Sequence, residues 1–398
     1  MKKNFLIMGL LAMGLGLAST SCSSDDDNKK ENTNEEITVE EAQNLEYTSE
    51  NAAAWGNYAV NVAKLLANDS QTLYDEWNNS FANAFKGHTA GSGYSSANAC
   101  VQQIIEGCID IANEVGTAKI GEPVDLWTSG KQQEALYAVE SWYSWHSRDD
   151  YKNNILSIAN SVLGQCINGD PSAFDYHSND AMTTNSIIVK CMINNNLRQP
   201  SVVVWQNICK AWTAIDNIPQ PFRNNIGSSE AAAAMEACAE LTASLETLNA
   251  AIAENMSEED AQAIVTQFVD NVAMPTYKSL VEKNNALRTA VQRFQQNPSN
   301  NTFTAACEAW MAARQPWETS EAFLFGPVSE LGLDPNMDSW PLDAVGIANL
   351  LKSQKWSEME WTGEYNEDSE AIEAAQSVRG FHTLEYLLFK DGQPRTVR

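Results

Sequence analysis

From Leu45 to Phe389 the apolar residues recur three and four positions apart almost without interruption, and this pattern restricts the chain to helices. Ile264, Val265, Phe268 and Val272, followed after Pro275 by Tyr277, Leu280, Val281, Leu287, Val291 and Phe294, line one face of two successive helices. The same spacing runs through 55–66, 73–85, 101–115, 136–163, 187–197, 202–215 and 231–252. The period-two alternation that a half-buried strand needs is scarce. Segments rich in Gly, Ser and Asn at 87–98, 116–130, 168–180, 217–229, 297–302 and 326–341 read as connectors. The expected fold class is all-α, built of two antiparallel bundles of the four-helix kind.

Two domains follow from length, because 398 residues exceed what one hydrophobic core usually supports. The polar stretch Ala253–Glu259 is the least apolar late break, and Ser257 stands at capping-box spacing from Asp260. The expected domains are therefore 41–256 and 257–398. With 43% apolar and only 19% charged residues the chain is globular, and its formal charge of −27 repels phosphate backbones and anionic headgroups. Nucleic acid is excluded as a partner, and cationic ligands are favoured.

The first residues carry an address. Lys2 and Lys3 precede an apolar run from Phe5 to Ala18, too short for a bilayer span and of the form of a secretory leader. It ends in small residues before Cys22, which reads as a lipobox: 1–21 is a lipoprotein signal peptide and Cys22 the lipidation site. The alternative is ordinary signal-peptidase cleavage with Cys22 unmodified. Residues 22–40 read as an acidic flexible tether, and acid-rich segments behind such a Cys resemble the signal for export to the outer face of the outer membrane. The expected location is the cell envelope, held to the outer membrane by lipid alone. Seven further cysteines remain; none forms a C-x-x-C pair, and Cys100 and Cys108 lie about 12 Å apart along a helix, too far for a bridge. They read as small buried apolar side chains.

Gly380–Phe389 is apolar on nearly every side, yet it holds His382 and Glu385 three residues apart, on one helical face. Two readings stay open from the residues alone. Either the pair satisfies itself or a buried neighbour and holds a bundle together, or it ligates a metal or polar ligand between helices. A second stripe, Trp310, Arg314, Trp317 and Glu321, is spaced four, three and four residues, with Pro316 expected to disturb its helix. Its alternatives are a cleft wall or a solvated amphipathic face. Trp340-Pro341-Leu342 closes the loop that follows.

These residues resemble those of the imelysin-like proteins (peptidase M75). Gly380, His382 and Glu385 match the family's G-x-H-x-x-E signature. Ala312-Ala313-Arg314 with Ser320–Pro327 is similar to its A-R…E-A-F-x-F-G-P segment, and Trp340-Pro341-Leu342 to its W-P-L step. That match covers 257–398. Leu45–Phe85, Glu140–Asp150 and Ile218–Phe222 resemble the family's other half, which usually follows the signature half and here precedes it. The order therefore looks circularly permuted, a cheap change when old termini lie close together on exposed connectors. The resemblance implies two helical bundles with the signature facing the other half, so that Ser144 and His146 join the site from the opposite wall. Trp145, His146 and Arg148 depart from the family's usual residues there.

The expected metal set is His382, Glu385 and Glu321; Arg314, Glu321, Ser144, His146 and Trp340 complete the ligand set. An imidazole with carboxylates suits iron or another divalent metal, and Arg314 suits an anion or chelate beside it. His146 with Asp149, and His177 with Asp180, repeat the His-x-x-acid spacing and read as surface pairs. Thermolysin-type hydrolysis needs H-E-x-x-H, whereas this chain has one motif His, no adjacent Glu and four His in all. No di-iron E-x-x-H pair, serine elbow or phosphate-binding glycine motif is visible. The resemblance implies a role in bacterial iron uptake, with a metal ion or metal chelate and an envelope uptake partner; the alternatives are an H-x-x-E metallopeptidase and a structural protein without ligand.

Overall fold

A computed structural model describes residues 37–174 and 184–397, which are helical nearly throughout. Cys22, the leader, most of the tether, His177 and Asp180 lie outside the described residues. The long helices are α1 (Ala52–Glu76), α2 (Ala97–Glu114), α3 (Ser147–Leu163), α4 (Arg198–Asp216), α5 (Ser229–Asn255), α6 (Glu258–Phe268), α7 (Met274–Gln296) and α8 (Asn300–Glu318). The short α9 (Leu333–Asp338) and α10 (Gly380–Leu388) complete the site region. Among the described residues the strands are Phe389–Lys390 and Gln393–Pro394, one small antiparallel pair. None of the described helices is long and apolar enough to cross a membrane.

Packing sorts these helices into two groups. In one, α7 lies against α1 and α8, and α10 fills the angle between α1 and α8. In the other, α5 lies against α2 and α4, with α3 against α2 and α4. The groups meet where α8 packs on α3, α6 on α2, and the turn Glu321–Phe323 on both α2 and α3. The turn at 256–257 is where Ser257 caps α6 as its spacing implied, its hydroxyl accepting from the Asp260 backbone N–H at 3.2 Å. It does not divide the packing, because α1 precedes it and packs with helices that follow it. The physical reason is burial: α1 carries Trp55, Tyr58, Val62 and Leu66, all buried, and α7 and α10 pack against that helix.

Three local departures from the sequence reading matter for the site. Residues 116–130, read as a connector, are helical: α2 runs into a π-turn at Val115–Lys119 and then a helix at Gly121–Thr128. The inserted residue of a π-turn rotates the following side chains, here bringing Lys119 inward. The expected helix across 136–163 is interrupted, because Gln132–Ala138 and α3 are separated by a turn in which Ser141 and Trp145 adopt positive φ. Helix α8 continues through Pro316 but stops at Glu318, so Glu321 sits in a separate 3-10 turn, Glu321–Phe323. All seven cysteines among the described residues are free thiols, and five of them are buried.

Candidate functional site

Arg314 is the centre of the site. It is fully buried on α8, which rules out a solvated stripe, and its guanidinium meets four carboxylates. Nε donates to Asp150 Oδ2 at 3.2 Å, Nη2 to Glu140 Oε1 at 3.0 Å, and Nη1 to Asp338. Nη2 also lies 2.7 Å from Glu318 Oε1, one helical turn along. These partners come from the 139–146 turn, α3, α8 and α9, so one guanidinium ties both helical groups together.

His382 sits beside it on α10, also buried. Its Nδ1 is 3.0 Å from Glu385 Oε2, and Nε2 is 3.2 Å from both Glu140 Oε1 and Asp338 Oδ1. Burial and the Arg314 charge work against a protonated ring, but Asp338 and Glu140 outweigh them and hold the His382 pKa well above its ordinary value. The ring is thus an imidazolium at neutral pH. Glu140 shows the reverse balance: burial would raise its pKa, while Lys119, His382 and Arg314 hold it down at about 2. Gly380 lets α10 start this close to α9, since its φ is +88° and a Cβ there would approach the Met337 carbonyl oxygen to 2.5 Å.

The interrupted helix explains the opposite wall. A residue inside a helix has its N–H committed to the backbone, whereas the turn frees the Ser144 N–H to donate to Glu385 Oε1 at 2.8 Å, and the Ser144 hydroxyl does the same at 2.8 Å. Ser147 Oγ donates to the Glu140 carbonyl at 2.5 Å and fixes the turn. Trp340 meets His382 edge-on at 4.8 Å and donates to the Ala138 carbonyl at 3.3 Å. His146 stands at the margin, partly exposed, 3.8 Å from Asp149 and from Asp150 and without contact to His382.

On the far side of Asp338 the balance changes. Glu318, Glu321 and Asp338 each bring a carboxylate oxygen within 4.8 Å of the others, and Glu140, Asp338 and His382 form a second such group. Glu321 is 9% exposed and has no hydrogen-bond or ion-pair partner among the described residues. Burial, with the Glu318 and Asp334 charges added and Lys119 only partly opposing, pushes its pKa well above the carboxylate range. Glu318 is driven up by burial in the same way despite Arg314, and Asp334, half-buried nearby, is pushed up to about 7 by burial and by the Asp338 and Glu114 charges.

The structure thus brings together His382, Glu385, Arg314, Glu321, Ser144 and Trp340, and leaves His146 at the edge. Glu385 reaches His382 and Ser144 and falls in neither carboxylate group that a metal could bridge. Glu140, Asp150, Glu318, Asp338 and Lys119 are site residues that the sequence reading did not single out. Glu318 carried a local signal, its four-residue spacing from Arg314, and Glu140 and Asp150 bound the block that resembles the family's other half. Chemically the site sets carboxyl groups of Glu140, Asp150, Glu318, Glu321, Asp334, Asp338 and Glu385 against Arg314, Lys119 and His382, more acidic groups than basic ones in a low-dielectric interior. That donor set fits a bound cation.

Comparison with known proteins agrees with this architecture. The family model described as imelysin, peptidase M75, matches residues 26–248 and 273–397. The crystal structure of an imelysin peptidase from Bacteroides ovatus is similar over 90% of this chain and 100% of that one, with 51% sequence identity and a TM-score of 0.83. Iron-regulated protein A of Synechococcus elongatus is 36% identical over 138 residues; the match spans 33% of this chain and 34% of that protein.

Proposed function

The chain belongs to the imelysin family, and from that premise we propose that it binds iron or another metal cation, free or chelated, in bacterial iron uptake, and that it does so without hydrolysing peptides. The observation that carries this reading is the excess of buried carboxylates around Arg314, which a cation would neutralise. The name of the Synechococcus relative supports the link to iron. Against peptidase chemistry stands the shape of the imidazole's surroundings. His382 is clamped between Glu385, Glu140 and Asp338, and the His146 imidazole is paired with Asp149 and Asp150 instead of reaching His382. The metal, when bound, supplies positive charge to the cluster; Arg314, Lys119 and the Ser144 donors hold the carboxylates in place for it.

The test is metal analysis of the protein purified without added metal, paired with calorimetric titration of ferrous, ferric and zinc ions. Near-stoichiometric binding is expected, and no cleavage of unfolded proteins or a peptide library by the zinc-loaded protein. Cleavage that disappears in Glu385→Gln with folding retained would replace this reading by the metallopeptidase one. We further propose that Cys22 is lipidated and tethers the protein to the outer membrane, on the strength of the short apolar leader and the small residues before Cys22. Labelled palmitate should enter the native chain and not Cys22→Ala; equal labelling of both would refute the anchor.

A further inference from the structure

The two carboxylate groups that share Asp338 are not equivalent as cation seats. In the His382 group every polar atom is engaged. Both ring nitrogens face acids at 3.0–3.2 Å, and Arg314 Nη2 lies 3.0 Å from Glu140 Oε1 and 3.4 Å from His382 Nε2.

The Glu318 group also touches Arg314, through Glu318 Oε1 at 2.7 Å and through Asp338, but it adds a carboxylate that no side chain holds. Glu321 keeps both carboxylate oxygens without a partner although the residue is only 9% exposed. Glu318 is fully buried; its Oε2 accepts from Asn154 Nδ2 at 2.5 Å, while Oε1, beside Arg314, receives no aligned N–H. The Asn154 side-chain oxygen is likewise buried and unmet. Buried polar groups in native proteins nearly always have partners, so a Glu321 carboxylate with none, beside the unmet Asn154 oxygen, points to a cationic partner. The donors there are oxygens, without a nitrogen or sulfur ligand, which selects a hard cation over a soft one.

We infer that the cation seat is the all-oxygen pocket of Glu318, Glu321 and Asp338, built for a hard, oxygen-seeking di- or trivalent ion, with His382 outside the ligand set. This rests on the metal-binding reading and sharpens it: the signature His–Glu pair positions Asp338 and Glu140, and Glu321 does the binding.

Trp317 provides the readout, because its Nε1 donates to Asp338 Oδ2 at 2.6 Å and its indole stands beside the pocket. Terbium(III), a hard trivalent probe, is titrated into the full chain while indole is excited and sensitised emission recorded. Saturable emission is expected in the parent. Glu321→Gln should abolish saturable binding, while His382→Gln, which acts only through Asp338, weakens it by about tenfold, the low end for a supporting residue, and Glu385→Gln, one contact further out, weakens it less. Trp317→Phe should lose emission yet still bind by calorimetry. Thermal unfolding with and without the ion accompanies each variant, and the ion should raise the melting temperature of Glu385→Gln but not of Glu321→Gln, which keeps the comparison readable if His382→Gln folds poorly. Saturable binding retained in Glu321→Gln, or abolished in folded His382→Gln or Glu385→Gln, overturns the assignment while leaving the protein a metal binder. No saturable binding of terbium, ferric or manganous ions to the parent overturns both, and the pocket then holds protons only.

Discussion

The two sides of Asp338 are made of the same residue types and behave oppositely. On the Arg314–His382 side Glu140, Asp338 and His382 meet their complements, and Lys119, His382 and Arg314 together hold Glu140 ionised. On the Glu318–Glu321 side Arg314 reaches Glu318 but not Glu321, and burial raises both pKa values without enough positive charge to restore them. A saturated buried network fixes geometry and has little left to offer a ligand, whereas an unsaturated one stores unfavourable energy that a ligand can relieve. Carboxylate content alone therefore does not locate a binding site; the arrangement of cations around it does.

The largest effect that would break this comparison is expected at Arg314. Arg314→Met leaves Glu140, Asp150, Glu318 and Asp338 without their common partner, and urea unfolding should show a loss of roughly 3–5 kcal/mol, or no folded protein. A loss under about 1 kcal/mol would mean that the saturated side holds nothing together. Glu321→Gln should go the other way, stabilising the metal-free protein at pH 8 by about 1–3 kcal/mol, because it removes a buried carboxylate that has no partner. At pH 5 the gain should shrink, since the raised pKa of Glu321 keeps its carboxyl protonated there.

Acidity separates the two sides further. Asp334 has a raised folded-state pKa, about 7, so its contribution is fully present below the ordinary value of 3.8 and is lost as pH climbs through 7. His382 is raised too, but from 6.5, so its contribution is full below 6.5 and fades only well into the alkaline range. The melting temperature of the metal-free protein should thus fall in two separate windows, and Asp334→Asn should flatten the acidic one alone. A single transition unaffected by that change would show that the sides titrate as one. The smallest effect belongs to Ser144→Ala, about 1 kcal/mol in urea unfolding, because the Ser144 backbone N–H still reaches Glu385 when the hydroxyl is gone.

How much of this was legible beforehand follows from the range of each interaction. His382 and Glu385 are three residues apart on one helix, and their contact at 3.0 Å is what that spacing implies. The Arg314 stripe pointed to the right helix, although Glu321 reaches the cluster from a 3-10 turn, where Ala322 N–H donates to Ser157 Oγ at 3.1 Å, and not from a continued helical face. The interruption at 139–146 was invisible, because an apolar pattern running through Leu136, Tyr143 and Tyr151 is the same whether or not the backbone turns between them.

The sequence by itself determined the all-helical class, most of the long helices, the Ser257 cap, the family and the identity of a buried His–Glu pair, since each is written in neighbours a few residues apart. Tertiary structure alone decided which acids surround Arg314. Glu140 and Asp150 reach it across sequence separations of 174 and 164 residues, and Asp338 arrives from a stretch that reads as a connector. The reason is electrostatic: whether a carboxylate is ionised, paired or left wanting a cation depends on every charge within a few ångströms and on the water excluded around it, and both are set only when the two helical groups close on each other.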